Sequence, residues 1–453
     1  MSSKKQPVGY LPDERPPIVE LIFFALQQIV VMFPATVLVA LITGFHVSTT
    51  IFASGLSTLC FILITGRKIP LYYGSSFSYI AAIASIMGAE QFSSLSLNDK
   101  ISIAQFGIVM SGFVSIIAGL IIQRTGRKTI DKILPATVTG SIAIIIGLSL
   151  AKNAIENAAA VPEGFATPLG QNMAWVISLI TLFSTIIYSV YLKGRLSQLP
   201  ILFGLFTGYI AALIIGQVTG VPFVVFDTIQ TNSLISIPEF TLPKASWAAV
   251  VAIMPIAIAT IPESTAHIYQ LDIYVNDLAK KKGSSKNYNI ADKLGLNLIG
   301  DGMGDIISGL IGGPAGTNYG ENISTMAISK VFSVPVLILA AILTMVISCF
   351  TPLINVVYSI PTAVIGGLSI YLYGVIGAQG IAIMMDRKVD MFNSKNLAII
   401  AIILVIGLGG SYGFSGNGMI PMFGVEFPAL ATAAIVGIVL NLLLSIGENS
   451  EEK

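Results

Sequence analysis

Three ionisable side chains stand in stretches that are otherwise apolar. Pro262-Glu263-Ser264-Thr265-Ala266-His267 closes one hydrophobic run, and Tyr319-Gly320-Glu321-Asn322-Ile323-Ser324 opens another. A carboxylate at membrane depth is costly, so it marks a functional site by default. Glu263 and His267 are four residues apart, on one face of a helix. Burial and pairing bring a carboxyl and an imidazole toward neutrality, which suits proton handling. The structural alternative is a pair that neutralises itself and fixes helix packing. Glu321 sets a second carboxylate across the pocket, and two carboxylates facing one cavity disfavour simultaneous ionisation. One then holds a proton while the other binds ligand.

The Tyr-Gly of the second run has an echo in Tyr73-Gly74-Ser75-Ser76-Phe77-Ser78. A broken span leaves backbone N–H groups unpaired where its helical half begins, and the helix dipole adds positive potential there. Gly74 and Gly320 let the chain approach a ligand closely; the competing role is close helix packing. Pro314 and Gly316 suit an extended lead-in to Tyr319. Carboxylates accept N–H donors, backbone N–H groups bind carbonyl oxygens, and Phe77 or Tyr319 covers a flat ring. A small planar solute with alternating N–H and C=O edges fits, with sugars and amino acids open as alternatives. Gln28 and Ser76 are further pocket candidates, whereas Gln27 reads as a helix–helix hydrogen bonder. Asp301 and Asp305 fall near the predicted cytoplasmic end of their span, wetted or paired with Lys293, with structural and functional roles equally open.

A membrane scaffold must position these groups. The 453 residues are 54% hydrophobic and 10% charged, against about 25% charge in soluble domains. A net charge of +1 gives no reason for a nucleic-acid partner. Cys60 and Cys349 lie in distant apolar runs and read as small buried hydrophobes. The first apolar run is too long for a signal peptide. No zinc-protease, phosphate-loop or nucleophile-elbow motif is present, so no enzyme, metal or cofactor is expected.

Runs long enough to cross a bilayer place fourteen helical spans, at about 19–41, 48–65, 71–88, 103–123, 132–151, 172–192, 199–217, 245–268, 294–312, 319–331, 333–351, 360–384, 396–412 and 425–446. The third and tenth are short and broken. With both termini cytoplasmic, 21 of the 24 Lys and Arg fall inside and only Lys100, Lys152 and Lys244 outside. The stretches 152–171 and 218–244 are then external loops, as is the turn at His46. Ala279-Lys280-Lys281-Lys282-Gly283-Ser284-Ser285-Lys286 is a solvated internal loop, with a regulatory or lipid-binding role as the lesser alternative. A second repeat pairs Pro135-Ala136-Thr137-Val138 with Pro361-Thr362-Ala363-Val364. Seven spans per half make the two repeats inverted, with a site near the midplane.

At these residues the chain resembles the nucleobase–ascorbate transporter family, also called nucleobase:cation symporter-2, and its bacterial uracil and xanthine permeases in particular. The motifs are Met32-Phe33-Pro34-Ala35-Thr36-Val37, Gly74-Ser75-Ser76-Phe77, Tyr319-Gly320-Glu321-Asn322-Ile323 and Tyr373-Gly374-Val375-Ile376-Gly377-Ala378. The resemblance implies an all-α, fourteen-span inner-membrane protein with a core domain (19–123 and 245–351), a gate domain (124–244 and 352–446) and cytoplasmic tails (1–18 and 447–453). It implies a proton as coupling ion, uracil as cargo with xanthine or urate as alternative, and a homodimer. It makes Glu263 the substrate-binding acid, Glu321 the second acid, Phe77 and Gly320 backbone contacts to the base, and His267 the proton-coupling histidine. The chain departs from the family pattern at Ser324, Ser329, Gln27-Gln28 and Gly316-Thr317-Asn318. An anion transporter or channel on the same architecture is the third reading, which Glu263 and Glu321 disfavour by repulsion.

Overall fold

In hydrocarbon every backbone polar group must find a partner inside the protein, so long apolar runs fold as helices. The computed structural model describes residues 9–126, 132–225, 233–414, 418–422 and 425–448. In chain order these begin with α1 (Ile18–Thr43), α2 (Val47–Ile64), β1 (Tyr73–Ser75), α3 (Ile80–Met87) and α4 (Leu97–Thr125). There follow α5 (Ala136–Ser149), α6 (Ala151–Ala158), α7 (Pro168–Tyr191), α8 (Pro200–Thr219), α9 (Trp247–Ile253) and α10 (Ile256–Lys281). The second half continues with α11 (Leu294–Ile311), β2 (Gly316–Asn318), α12 (Gly320–Ser329), α13 (Val334–Ile347) and α14 (Thr351–Tyr358). It ends with α15 (Thr362–Asp386), α16 (Ser394–Tyr412), β3 (Met419–Met422), β4 (Val425–Pro428) and α17 (Ala429–Glu448). Among the described residues eleven helical segments are long and apolar enough to cross a membrane, and Phe77–Met87 and Val334–Ile347 are shorter apolar helices. The chain is a multi-pass membrane protein.

The chain forms two compact units. The first holds Met1–Phe77, Phe92–Arg127 and Ile235–Phe350. Its strands β1 and β2 pair antiparallel, with Tyr73 opposite Asn318, Gly74 opposite Thr317 and Ser75 opposite Gly316. Side chains of α2 satisfy the strand ends. Ser54 Oγ and Thr58 Oγ1 donate to the Tyr73 carbonyl at 2.9 and 2.8 Å, and the Tyr73 N–H donates to Thr58 Oγ1 at 3.0 Å. Helices α4 and α11 touch backbone to backbone through glycines, as small-residue packing in membranes requires. A Cβ on Gly112 would stand 2.4 Å from the Gly302 carbonyl oxygen, and one on Gly302 would stand 2.3 Å from that of Gly112.

A strap before α1 closes the end of this unit that bears the lysine run. Tyr10 bridges Val331, donating its N–H to Lys330 O and accepting from Phe332 N, both at 2.8 Å. Lys282 pairs with Glu14 at 2.6 Å, Lys286 pairs with Asp13 at 2.6 Å, and the Tyr288 hydroxyl donates to Asp13 at 2.5 Å. The lysine run is therefore not simply a solvated loop: α10 extends to Lys281, and two of the following lysines are held by the chain's own first acids.

The second unit holds Ser78–Gln91, Lys128–Leu234 and Thr351–Lys453, so it includes α3. Pro135 and Pro361 N-cap α5 and α15, where a missing N–H costs nothing. These two helices also meet through glycine: a Cβ on Gly380 would stand 2.3 Å from the Gly140 carbonyl oxygen. Ala174, Ile177, Ala212, Val221, Phe223, Ala363 and Val364 form a buried apolar cluster. Two sequence expectations need correction here. Residues 425–428 are a strand paired with Met419–Met422, so the last crossing begins at Ala429. The stretch 152–171 carries a helical turn, α6, with Ala154 and Ala158 buried, rather than loop alone. The predicted cytoplasmic charges Lys4, Lys5, Arg127, Lys128 and Lys453 lie outside the described residues.

Candidate substrate site

The predicted residues divide among α1, the β1 end, α10 and the β2–α12 junction, all within the first unit. Tyr319 N-caps α12 with an extended backbone, Gly320 opens the helix, and Glu321 lies in its first turn. A carboxylate there complements the positive end of the helix dipole. Glu321 and Glu263 are both half-buried. Gln28 of α1 is 1% exposed and accepts from Asn322 Nδ2 at its side-chain oxygen, 2.8 Å, and at its main-chain carbonyl, 3.0 Å. Gln28 is thereby tied to the helix that carries Glu321.

His267 stands one turn after Glu263 on α10. Its Nδ1 is buried without a hydrogen-bond partner among the described residues. Its Nε2 is the atom nearest to a Cβ built on Gly320, at 2.9 Å. The histidine thus adjoins the strand-to-helix junction that precedes Glu321.

Gly74 has a more specific packing role than close approach to a ligand. A Cβ there would stand 2.4 Å from the Tyr319 ring. Tyr319 itself is buried, and its hydroxyl bonds Thr36 Oγ1 at 2.8 Å and donates to the Ser75 carbonyl at 3.0 Å. Ser76 is buried and its N–H donates to the Ala315 carbonyl at 2.9 Å. Phe77 follows, half-buried, at the start of a short 3-10 turn.

Asp301 and Asp305 are neither wetted nor paired with Lys293. Lys293 Nζ donates instead to the carbonyls of Tyr288 and Asn289, at 2.5 and 2.6 Å. Both aspartates are buried. Asp301 accepts from the Ser264 hydroxyl, from Asn318 Nδ2 at 2.7 Å and from Asn297 Nδ2 at 3.3 Å; Asn297 Nδ2 also donates to Ser264 Oγ at 2.6 Å. Asp305 accepts from the Tyr73 hydroxyl at 2.7 Å and from the Gly316 N–H at 2.8 Å. The position of the two acids near a predicted span end hides this network in the sequence. The available signal was Asn297, Asp301 and Asp305 at four-residue spacing, a polar stripe on one face of an apolar helix. The network ties Ser264, the neighbour of Glu263, to Asn318, two residues before Gly320. Glu263 itself lies within electrostatic reach of Asp301. Among the described residues no group of three His, Cys, Asp or Glu side chains is placed to hold a metal ion.

A Permease family model matches residues 19–416. The chain is 35% identical over 439 residues to the uracil permease of Bacillus caldolyticus, covering 95% of this chain and 94% of that one. It is 34% identical over 452 residues to the uracil permease of Bacillus subtilis, covering 98% and 96%. Among solved structures it is similar to the transmembrane domain of a cyanobacterium bicarbonate transporter, with TM-score 0.59, 15% identity, and coverage of 95% of this chain and 99% of that one. It is also similar to the murine Solute Carrier 26 family member A9 anion transporter in the inward-facing state, with TM-score 0.64, 12% identity, and coverage of 96% and 69%. At these identities the two structures bear on the fold alone.

Proposed function

The chain belongs to the nucleobase–ascorbate transporter family, and on that premise we propose that it imports uracil together with a proton across the inner cell membrane. It is a transporter and not an enzyme. The observation that carries the reading is the placement of Glu263 and Glu321 on two elements that converge on the strand crossing, in a chain whose curated relatives include uracil permeases. The ring N–H groups of uracil donate to the Glu321 carboxylate and to the carbonyl oxygen of the Glu263 carboxyl. Its carbonyl oxygens accept from backbone N–H groups near Phe77 and Gly320, which the strand ends leave at the start of helical halves. Ser76 and Gln28 line the same pocket, and Phe77 and Tyr319 flank the ring. The proton resides on Glu263, with His267 assisting, so protonation favours substrate loading.

The transport cycle is alternating access, with the first unit as core and the second as gate. Support comes from antiparallel pairing of the two Tyr-Gly breaks and from the matching prolines that cap α5 and α15. Fourteen crossings result if α3, α12 and α13 join the eleven long segments. The Lys and Arg distribution favours cytoplasmic termini. A homodimer through the gate is part of the proposal and is checked by cross-linking in native membranes.

Uptake of labelled uracil into proteoliposomes tests the reading. An inwardly directed proton gradient should raise uptake, and indifference to it would remove the coupling. Glu263→Gln and Glu321→Gln should each cut uptake by at least about a hundredfold, the scale of a lost charged hydrogen bond at a buried site. Retained uptake in both would sink the site. Stronger competition by xanthine or urate than by uracil would favour the purine alternative.

A further inference from the structure

We propose that Asp305 is a positioning residue for substrate binding: its carboxylate locks β1 to β2 and so sets the spacing between Phe77 and the Gly320–Glu321 helix start. This deepens the transport reading and rests on it for the identity of the cargo. Asp305 is 2% exposed, and none of the salt bridges among the described residues includes it. A buried carboxyl without a counter-charge is a poor space filler, because its desolvation is expensive unless its oxygens are well used. Here a single oxygen, Oδ1, accepts from the Tyr73 hydroxyl of β1 and from the Gly316 N–H of β2.

The clamp is diagonal. Tyr73 faces Asn318 in the register, not Gly316, so Asp305 braces the ribbon against sliding. The Tyr73 ring is slotted as well. A Cβ on Gly316 would stand 2.3 Å from Tyr73 Cε1, and one on Gly304 would stand 2.7 Å from the same atom. The Tyr73 hydroxyl also donates to the Asp301 carbonyl at 3.1 Å. A two-stranded ribbon of three residues a side has little register specificity of its own. A slip by one residue would shift the two sides by about 3.3 Å and reverse their faces. Phe77 lies two residues beyond Ser75, and Gly320 lies two beyond Asn318, so each would be carried along with its strand.

Four variants in lipid nanodiscs and proteoliposomes test this. Asp305→Ala and Tyr73→Phe should each raise the KM for uracil about tenfold with less change in maximal rate, and the double variant should be no worse than the poorer single one. Asp305→Asn keeps an acceptor oxygen and should restore the KM to within about threefold. A lowered thermal midpoint with unchanged KM would reduce Asp305 to a structural residue. An Asn variant as impaired as Ala would refute the acceptor role. Should Asp305→Ala not fold, Tyr73→Phe carries the test, since it removes one hydroxyl. Amide hydrogen exchange over residues 73–76 and 315–319, read without substrate, should quicken about tenfold in either variant. Unchanged exchange overturns the clamp whatever the cargo is. Wild-type protein that shows the clamp but takes up no uracil overturns only the uracil reading.

Discussion

The two Tyr-Gly breaks share a sequence and exchange partners. Tyr73 of the first lies against Gly316 of the second strand, and Tyr319 of the second lies against Gly74 of the first. Each ring fills space that only a glycine on the opposite strand leaves open. Beyond that the two diverge. The Tyr73 hydroxyl binds a carboxylate on α11, whereas the Tyr319 hydroxyl binds Thr36 of α1 and the Ser75 carbonyl. The first strand leads through Ser76 into a 3-10 turn without an acid, and the second leads directly into a helix with Glu321 in its first turn. The packing device is common to both breaks, but charge enters at one. A binding site at such a crossing is then asymmetric, with neutral backbone on one side and a carboxylate on the other.

The two breaks should differ most at their glycines. Gly74→Ala should nearly abolish uptake and lower the thermal midpoint, because its methyl meets the end of a ring anchored by two hydrogen bonds; overpacking of this kind costs about 1–3 kcal/mol. Gly320→Ala should be milder in stability, since the only close atom is the tip of His267, and its effect should appear in the pH profile of uptake. Equal loss at both glycines would contradict the unequal anchoring.

A smaller effect separates the tyrosines. Tyr319→Phe should cost about 1–2 kcal/mol of stability by stranding Thr36 and the Ser75 carbonyl. It should move the KM less than Tyr73→Phe does, a ranking that uptake kinetics on the two variants decides.

The smallest effect lies in the strap. Burial raises the Asp13 carboxyl, but hydrogen bonds from Lys286 and Tyr288 outweigh it and hold the group below its usual range. A lowered carboxyl contributes stability above its unfolded value, about pH 4, and loses it as pH falls through the lowered value. Both partners are more than half exposed, so Lys286→Ala should cost no more than about 1 kcal/mol. Limited proteolysis near residue 13 should be unchanged at neutral pH in wild type and faster below about pH 4.

The membrane class, the long helices and the two breaks were legible because hydropathy and glycine placement are local signals. Glu263, His267 and Glu321 stood out for the same reason: a charge in an apolar run needs no tertiary knowledge to notice. The burial of Asp301 and Asp305 was not legible, because it depends on two strands from distant parts of the chain lying against α11. Nor was the role of Gly74, whose contact is a tyrosine 245 positions later in the chain. Strand β4 was hidden at the start of the last predicted span, and β3 in the stretch between two spans. The lysine run misled because its partners, Asp13 and Glu14, precede it by more than 260 residues.

The strap has a consequence for how the protein is made. Tyr10 and its neighbours leave the ribosome hundreds of residues before their partners at Lys282, Lys286 and Lys330–Phe332. The leading segment therefore waits, unpaired, while several helices enter the bilayer. Its closure reports that α10, α12 and the start of α13 have all arrived, which makes Asp13 and Glu14 a seal on completed assembly of the first unit.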